Sequence, residues 1–540
     1  MISTKIDSHA AIIDCGGQTT RIGDCCDDSP HFVIPSSFGS KMSDSGSNII
    51  IGDDLSYPRI DMEIGNIIQD GLVADWDAYE AILNYALYNK HALNWKSGEK
   101  KPLLLSGAAW SPQSERHRQF ELVFETGKAD LCFLARSPSL ATYSVGRSNA
   151  LVLDVGHHLS SACAVIDGFT LTRSVVRSVI AGELLQKALD VYINQKKGQY
   201  IQPFYKDKSG KIPDYAKEYF TSQINPSQSS INQQTYKHSF CEYHRNICYL
   251  QQIKEQELII CPKSINDPQE LEDEICNYEL PDGSVINIDK GKSLIPELLW
   301  DTSSQLLEAV GITQLVNMKL VQSREQSSSS SQSTITMNPL IQTLIDSVKL
   351  CDASIRRDLW SGLLLVGGTA CMKGLPDRFF SELNDKSPAS VHVKIITSNV
   401  NDDKRFAVWL GGAILSSLES FSQRWPKKND EKKESWEDEE EIEQENWDDD
   451  TSLGKVQDSV QEQEDNNNGF PRNIFDPYPQ RRNDFGTDPF RSNSPSLIFS
   501  ERDTSRLKRE AQGYPARKVQ CASLENENLK KSKIINNMDE

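Results

Sequence analysis

Long apolar runs are missing from these 540 residues, and no stretch approaches the roughly 18 consecutive apolar positions that a bilayer span needs. The opening segment, MISTKIDSHAAIID, lacks the basic-then-apolar plan of a secretory signal. The expectation is a soluble, intracellular protein with no membrane partner. Cysteine is scarce too: 12 residues, with Cys132, Cys163 and Cys371 alone inside apolar stretches, which excludes a disulfide framework in favour of reduced core thiols. Positive charge is in deficit, with 58 Lys and Arg against 77 Asp and Glu and a net charge of −19. That field repels phosphate and argues against a simple basic nucleic-acid binder unless a local patch overrides it. Neither GxGxxG nor GxxxxGK(S/T) occurs at a strand-to-helix junction.

What is present is a chain of ordinary hydrophobic content, 38%, long enough at roughly 100–200 residues per domain for two or three domains. Its charge is unevenly spread. Residues 1–426 carry 40 basic and 50 acidic side chains, interspersed among β-branched strands and amphipathic helices, the texture of a folded body. Residues 427–540 are rich in Asn, Asp, Pro and Arg with few aliphatic clusters. They cannot bury enough apolar surface to offset ordering entropy, so a disordered tail is expected there. The body holds −10 and the tail −9, yet the run from Glu437 to Asp450 alone contributes ten acids and no base. Two polar stretches interrupt the body, about 194–234 and SREQSSSSSQST at 323–334, and both read as surface insertions.

Within the body, an apolar strand in AAIIDCGGQTTRIGD ends on Asp14 and is followed by Gly16, Gly17 and a second strand. The pattern returns 140 residues later in ALVLDVGHHLSSACAVIDG, with Asp154 and Gly156 in the same places. This repeat suggests an internally duplicated α/β body with two facing halves. A third glycine turn, in LLLVGGTACMKGLPDRF, follows a buried strand and opens a helix. A glycine at a hairpin tip lets backbone N–H groups approach an anion closely, and an Asp at a strand end can hold a hydrated Mg²⁺. Two such tips facing each other would clamp a nucleotide's phosphates and metal. Any one of these turns is an ordinary tight turn; three in this order are far more specific.

The segments AAIIDCGGQTTRIGD, DGLVADWDAYEAIL, LLLSGAAWSP, FETGKADLCFLA, YSVGRSNALVLDVG, IAGELL, YELPDGSVINI, CDASIRRDLWSGLLLVGGTACMKGLPDRF and FAVWLGGAILSSLESFSQRW resemble, in order, the actins and actin-related proteins over most of residues 10–426. The resemblance implies a duplicated actin-like α/β fold, two facing domains around a nucleotide cleft that takes ATP and Mg²⁺. Carried over position by position, it makes Asp14, Gly16, Gly17 and Arg21 the first phosphate turn and Asp154, Gly156 and His157 the second. Asp14 and Asp154 would serve the metal. Gly182, Gly367, Gly368 and Thr369 would line the nucleoside pocket, with Arg405 near adenine. Within the family, DVGH, VIDGFTL and RSVVRSVIAGELL are most similar to a nuclear subgroup. That likeness implies a non-catalytic subunit of chromatin-remodelling and histone acetyltransferase complexes, serving transcription and repair. It would pair with monomeric actin on a helical segment of a remodeller ATPase or acetyltransferase platform subunit.

The site also departs from the family pattern. A phosphate-binding Ser of the first turn is Gly17 here, and a phosphate-reaching Lys is Arg21, bulkier and planar. The Gln and Asp that organise the attacking water fall at Ser137 and His157. Ser is too short to reach that water, and a neutral His cannot supply a carboxylate's charge, so weak or absent hydrolysis with retained binding is expected. Anchoring on ICYL puts His244 and Arg245 where the family has a Lys-Glu pair, an alignment that a nearby gap would shift. The stretch corresponding to the filament-contacting loop is shortened to SKMSDSGSN, which argues against self-filaments. Two alternatives remain in other classes: an ATP-hydrolysing cytoskeletal filament protein, and a cytoplasmic subunit that nucleates or caps actin filaments.

Several features carry a sharp and a plain reading. His238, Cys241, His244 and Cys248 have zinc-ligand chemistry, but their spacing puts them on one helical face, which favours burial. Cys25 and Cys26 read as buried or semi-buried thiols after a strand. Tyr143, Gly146, Leu415 and Leu418 match the family groove that receives partner helices, or else are core. The acidic run, with Trp436 and Trp447 beside or within it, reads as a solubilising tail or as a histone contact with tryptophan anchors. Basic clusters at RLKRE, Arg517-Lys518 and Lys530-Lys531 would suit nuclear import.

Overall fold

Each Asp-Gly turn is the tip of an antiparallel hairpin built into a sheet of its own. In the computed structural model the described residues are 10–418, apart from 44–45, 58–61, 97–100, 200, 202–237, 266–275, 281–282, 314–334, 387–392 and 399. The 323–334 insertion, nearly all of the 194–234 stretch, and the whole 427–540 tail with Trp436 and Trp447 therefore lie outside the described residues. The first sheet contains β1 (Ala11–Cys15), β2 (Thr19–Asp24), β3 (Phe32–Pro35), β4 (Leu103–Gly107) and β5 (Cys132–Arg136), in the order β5-β4-β1-β2-β3. The second contains β6 (Ala150–Val155), β7 (Ser160–Ile166), β8 (Val176–Ser178), β9 (Ile335–Thr336), β10 (Leu363–Val366) and β11 (Ile395–Ile396), in the order β9-β8-β7-β6-β10-β11.

The duplication expected from sequence is present in the pairing itself. The Asp14 strand β1 runs antiparallel to β2 and parallel to β4, and the Asp154 strand β6 runs antiparallel to β7 and parallel to β10. Side-chain alternation then sorts each strand between two layers. Leu151, Leu153 and Val155 enter the core of the second half, while Ala150 and Val152 turn to a cluster shared with Leu364, Val366, Ala141 and Ala407. Ile13, Ile22, Leu103 and Leu105 fill a separate core in the first half.

The helices used below are α1 (Trp76–Tyr88), α2 (Ser137–Ser144), α3 (Gly182–Val191), α4 (His238–Arg245), α5 (Gln251–Glu257), α6 (Asn401–Arg405) and α7 (Ala407–Ser417). α1 starts where Asp75 accepts a hydrogen bond from the Ala78 N–H at 2.8 Å, an ordinary N-cap. α2 leaves the first sheet and packs on β6 and β7, whereas α7 leaves the second half and packs on β1 and β4. The two helices cross in contact between the sheets. On either side of 44–45 in the stretch SKMSDSGSN, strands Ser37–Ser43 and Gly46–Ile51 pair antiparallel, with Ser43 opposite Gly46. No helix among the described residues is long and apolar enough to cross a membrane.

Candidate functional site

The first turn is closed by the Gly16 N–H donating to the Thr19 carbonyl at 3.1 Å, the second by the Gly156 N–H donating to the Leu159 carbonyl at 3.2 Å. The same hydrogen bond in both repeats holds each glycine two residues beyond its aspartate. Both tips are crowded: a Cβ on Gly16 would lie 2.7 Å from Arg21 Nη1, and one on Gly156 2.9 Å from the Leu159 backbone carbonyl oxygen. In the third turn Gly367 has φ +102°, and a Cβ there would lie 2.5 Å from Asp154 Oδ1. Only glycine satisfies that conformation and that approach together. A Cβ on Gly368, by contrast, would meet nothing within 4 Å.

These three turns converge on one cavity of about 550 Å³. Asp14, Gly16, Gly17, Arg21, Asp154, Gly156, His157, Gly367, Gly368, Thr369 and Arg405 all line it, as does Ser137. Gly182 does not. It begins α3 and is buried behind Thr369, whose Oγ1 donates to the Gly156 carbonyl at 2.9 Å and would lie 2.5 Å from a Gly182 Cβ. Gly182 is thus a packing glycine that lets α3 approach the second turn, and its expected place in the pocket wall is corrected.

The two aspartates are in different situations. Asp14 is buried and engaged at both oxygens: Oδ2 accepts from Arg21 Nη1 at 2.9 Å and Oδ1 from Ser106 Oγ at 2.5 Å. Asp154 opens onto the cavity, and burial, opposed by Arg21 and reinforced by Asp14, raises its pKa from 3.8 to about 6. A carboxylate held up in this way, facing a glycine-lined cavity, fits a hydrated divalent cation, whose charge would restore the ionised form. The residues therefore suit Mg²⁺, with Asp154 better placed than Asp14 to face it. Because the folded-state pKa is raised, the contribution of this group is fully present below about 3.8 and is lost as pH rises through about 6. Asp154→Asn should accordingly stabilise the ligand-free protein at pH 7 by about 3 kcal/mol and flatten the loss of stability between pH 4 and 6. Urea melts of both proteins across that range check this, and a variant no more stable at pH 7 would refute it.

The opposite wall contains a pair that the sequence alignment misplaced. Lys254 and Glu255 of α5 line the cavity beside Arg405, whose Nη2 donates to Glu255 Oε2 at 3.0 Å. Burial pushes the Lys254 ammonium down to about 8. Burial also pushes Glu255 up, but Arg405, Gln251 and Lys254 outweigh it and hold the carboxylate below its ordinary value. His244 and Arg245 are elsewhere. His244 is 1% exposed, its ring 4.5 Å from that of Phe240, and burial lowers its pKa to about 4. Arg245 pairs with Asp190 and Glu242. The one available signal was the Lys-Glu dipeptide itself, ten residues after His244-Arg245.

The remaining candidates separate by burial. Tyr143 and Leu415 are packed in the fold, 7% and 3% exposed, while Gly146 is exposed and Leu418 half-buried. Tyr143 also donates its hydroxyl to the Gly168 carbonyl at 3.3 Å. Cys241 and His244 are buried, as the plain reading of the zinc-like segment expects. Cys26 is exposed, which corrects its reading as a semi-buried thiol, and Cys25 is partly buried with its pKa pushed up to about 12 by burial.

The Actin family model matches residues 6–436. Among curated relatives, "Actin-related protein 4" of Arabidopsis thaliana is 29% identical over 449 residues, covering 78% of this chain and 95% of the relative. Its counterpart of the same name in Oryza sativa subsp. japonica is 28% identical over 451 residues, with the same coverage. That of Saccharomyces cerevisiae is 27% identical over 479 residues, covering 78% and 94%. With a match spanning most of the sequence, and with two duplicated hairpins and a glycine turn facing one cavity, the chain belongs to the actin family.

Proposed function

We propose that this chain is a nuclear, structural subunit of chromatin-remodelling and histone acetyltransferase complexes, in which ATP with Mg²⁺ is bound and hydrolysed little or not at all. The observation that carries the second half of this reading is the pair Ser137 and His157 on the cavity wall. Ser137 Oγ is committed to the Gly107 carbonyl at 2.8 Å, and His157 supplies no carboxylate. The cavity's size suits a nucleotide: its volume lies within the roughly 300–1,000 Å³ of small-molecule sites, and its glycine turns let a phosphate end approach the backbone with no side chain in the way. When bound, the Mg²⁺ nucleotide supplies charge neutralisation between the halves. Asp154 would face the Mg²⁺, Arg21, held on Asp14, would add positive charge beside the phosphates, and Lys254, Glu255 and Arg405 would enclose the far end. A ligand bound only by the folded state adds RT ln(1 + [L]/Kd), about 2.7 kcal/mol at 100 times Kd.

The setting in chromatin complexes is supported by the sequence resemblance to a nuclear subgroup and by the name the curated relatives share. In that setting the chain pairs with monomeric actin on a scaffold helix, and a partner helix at the α2–α7 groove would meet the accessible Gly146 and Leu418. The acidic run with its tryptophans contacts basic histone surface. Affinity purification of the full chain together with localisation tests the assignment. Recovery of actin and chromatin subunits from nuclei is expected; recovery of filament nucleators, or of self-polymers in the cytoplasm, would overturn it. Deletion of 437–450 should weaken histone pull-down, most visibly at low salt. Unchanged capture would remove the histone contact.

A further inference from the structure

We propose that His158 is the side chain by which this site grips the phosphates of its nucleotide, in the space that a side chain at position 17 would otherwise occupy; the proposal rests on the nucleotide reading above. Gly17 sits at the tip of the β1–β2 hairpin and His158 at the tip of the β6–β7 hairpin, and both line the cavity. A Cβ built on Gly17 would lie 2.6 Å from His158 Nδ1, 3.0 Å from Cε1 and 3.2 Å from Cγ. Three atoms of one ring at those distances mean that the imidazole fills the side-chain volume of residue 17. The ring is 5% exposed, so it has little room to swing aside. Gly17 is thus glycine for a reason 141 residues away: the opposite hairpin places its own polar side chain at the first phosphate turn.

Gln18 and His157 line this end of the cavity together with His158. Arg21 is committed to Asp14 and Ser137 Oγ to the Gly107 carbonyl. The neighbouring His157 ring lies 5.0 Å from that of His158 at 52°, so the two imidazoles are tilted rather than stacked. Imidazole has an N–H donor in either protonation state, and a hydrogen bond from it to a phosphate oxygen is of the strong, charge-assisted kind. Such a contact discriminates by phosphate content, favouring ATP and ADP over the nucleoside.

Calorimetric titration of the full chain with ATP, ADP and adenosine, all with Mg²⁺, tests the assignment. His158→Ala is expected to weaken ATP and ADP roughly tenfold or more and to leave adenosine unchanged. His158→Gln, which keeps an N–H donor, should retain much of the affinity. Gly17→Ser should weaken ATP in the wild-type background, where the ring blocks it. In the His158→Ala background the hydroxymethyl group has room, and affinity should return toward wild type. Unchanged or tighter ATP binding by His158→Ala would show the ring to be a filler and overturn the proposal. An equal loss for adenosine, or a double variant no tighter than His158→Ala, would also overturn it. These failures appear in the variants. A wild-type chain that binds neither ATP nor adenosine instead overturns the nucleotide reading, and this proposal with it.

Discussion

Gly411→Ala should cost at least about 4 kcal/mol of stability, a loss at the exceptional end for a single substitution. Glycine in a helix ordinarily costs about 1 kcal/mol relative to alanine, so an exchange to alanine would be expected to help. Here the sign reverses because α7 crosses α2 at this residue. A Cβ on Gly411 would collide with the Leu140 carbonyl oxygen, lie 2.5 Å from its carbon and 3.0 Å from its Cα. Those are backbone atoms, and no rotamer change relieves them. Gly412, one residue on, is the internal control. Its Cβ would meet Ile12 Cγ2 at 3.1 Å and Leu104 Cδ2 at 3.2 Å, ends of side chains that can yield by a few tenths of an ångström. Gly412→Ala should therefore cost about 1–2 kcal/mol. The rest of α7 is fixed by packing as well: Trp409 is fully buried and its Nε1 donates to the Ile12 carbonyl at 3.3 Å. Because α2 begins at Ser137 on the cavity wall, displacing the crossing should also weaken nucleotide binding. Denaturant melts of the two alanine variants decide the matter, and a Gly411→Ala loss under 1 kcal/mol would show that the helices do not meet this closely.

Restoring Gln at 137 and Asp at 157 together should raise ATP turnover by about a hundredfold over the wild-type chain. Phosphoryl transfer leaves the protein mainly positioning and charge to supply, and on the proposed reading a short hydroxyl bound to a backbone carbonyl and an imidazole without negative charge supply little of either. Glutamine is long enough to leave Gly107 and project into the cavity, and the carboxylate returns the negative charge near Asp154. Either change alone should give little, since groups that orient one water act as a unit. Single-turnover measurements on the wild type, both single variants and the double variant check this. A double variant no faster than wild type would overturn the role proposed for these two positions.

The sequence was most informative where function depends on neighbours in the chain. An apolar strand, an aspartate and a glycine two residues on define each hairpin locally, so Asp14, Asp154 and the duplication could be read directly, and so could the third turn at Gly367. Legibility failed where two distant segments decide the outcome. Gly17 reads as an ordinary turn glycine until His158 is seen in its side-chain space. Gly182 reads as part of the pocket until Thr369 is found in front of it. The Lys254–Glu255 pair lies beyond the ICYL anchor at 247–250, whereas His244-Arg245 lie before it, so a local likeness at the anchor left the pair ten residues out of place. Tyr143 and Leu415 fit a partner groove equally well as core residues, and only their burial separates the two.

The most direct test is the fate of bound nucleotide. The purified full-length chain, loaded with ATP and Mg²⁺ and freed of excess, should hold close to one adenine nucleotide per chain. After hours at 25 °C, extraction should return it still as ATP. Steady conversion to ADP, or a chain that retains no adenine nucleotide, would contradict a clamp that holds ATP without consuming it.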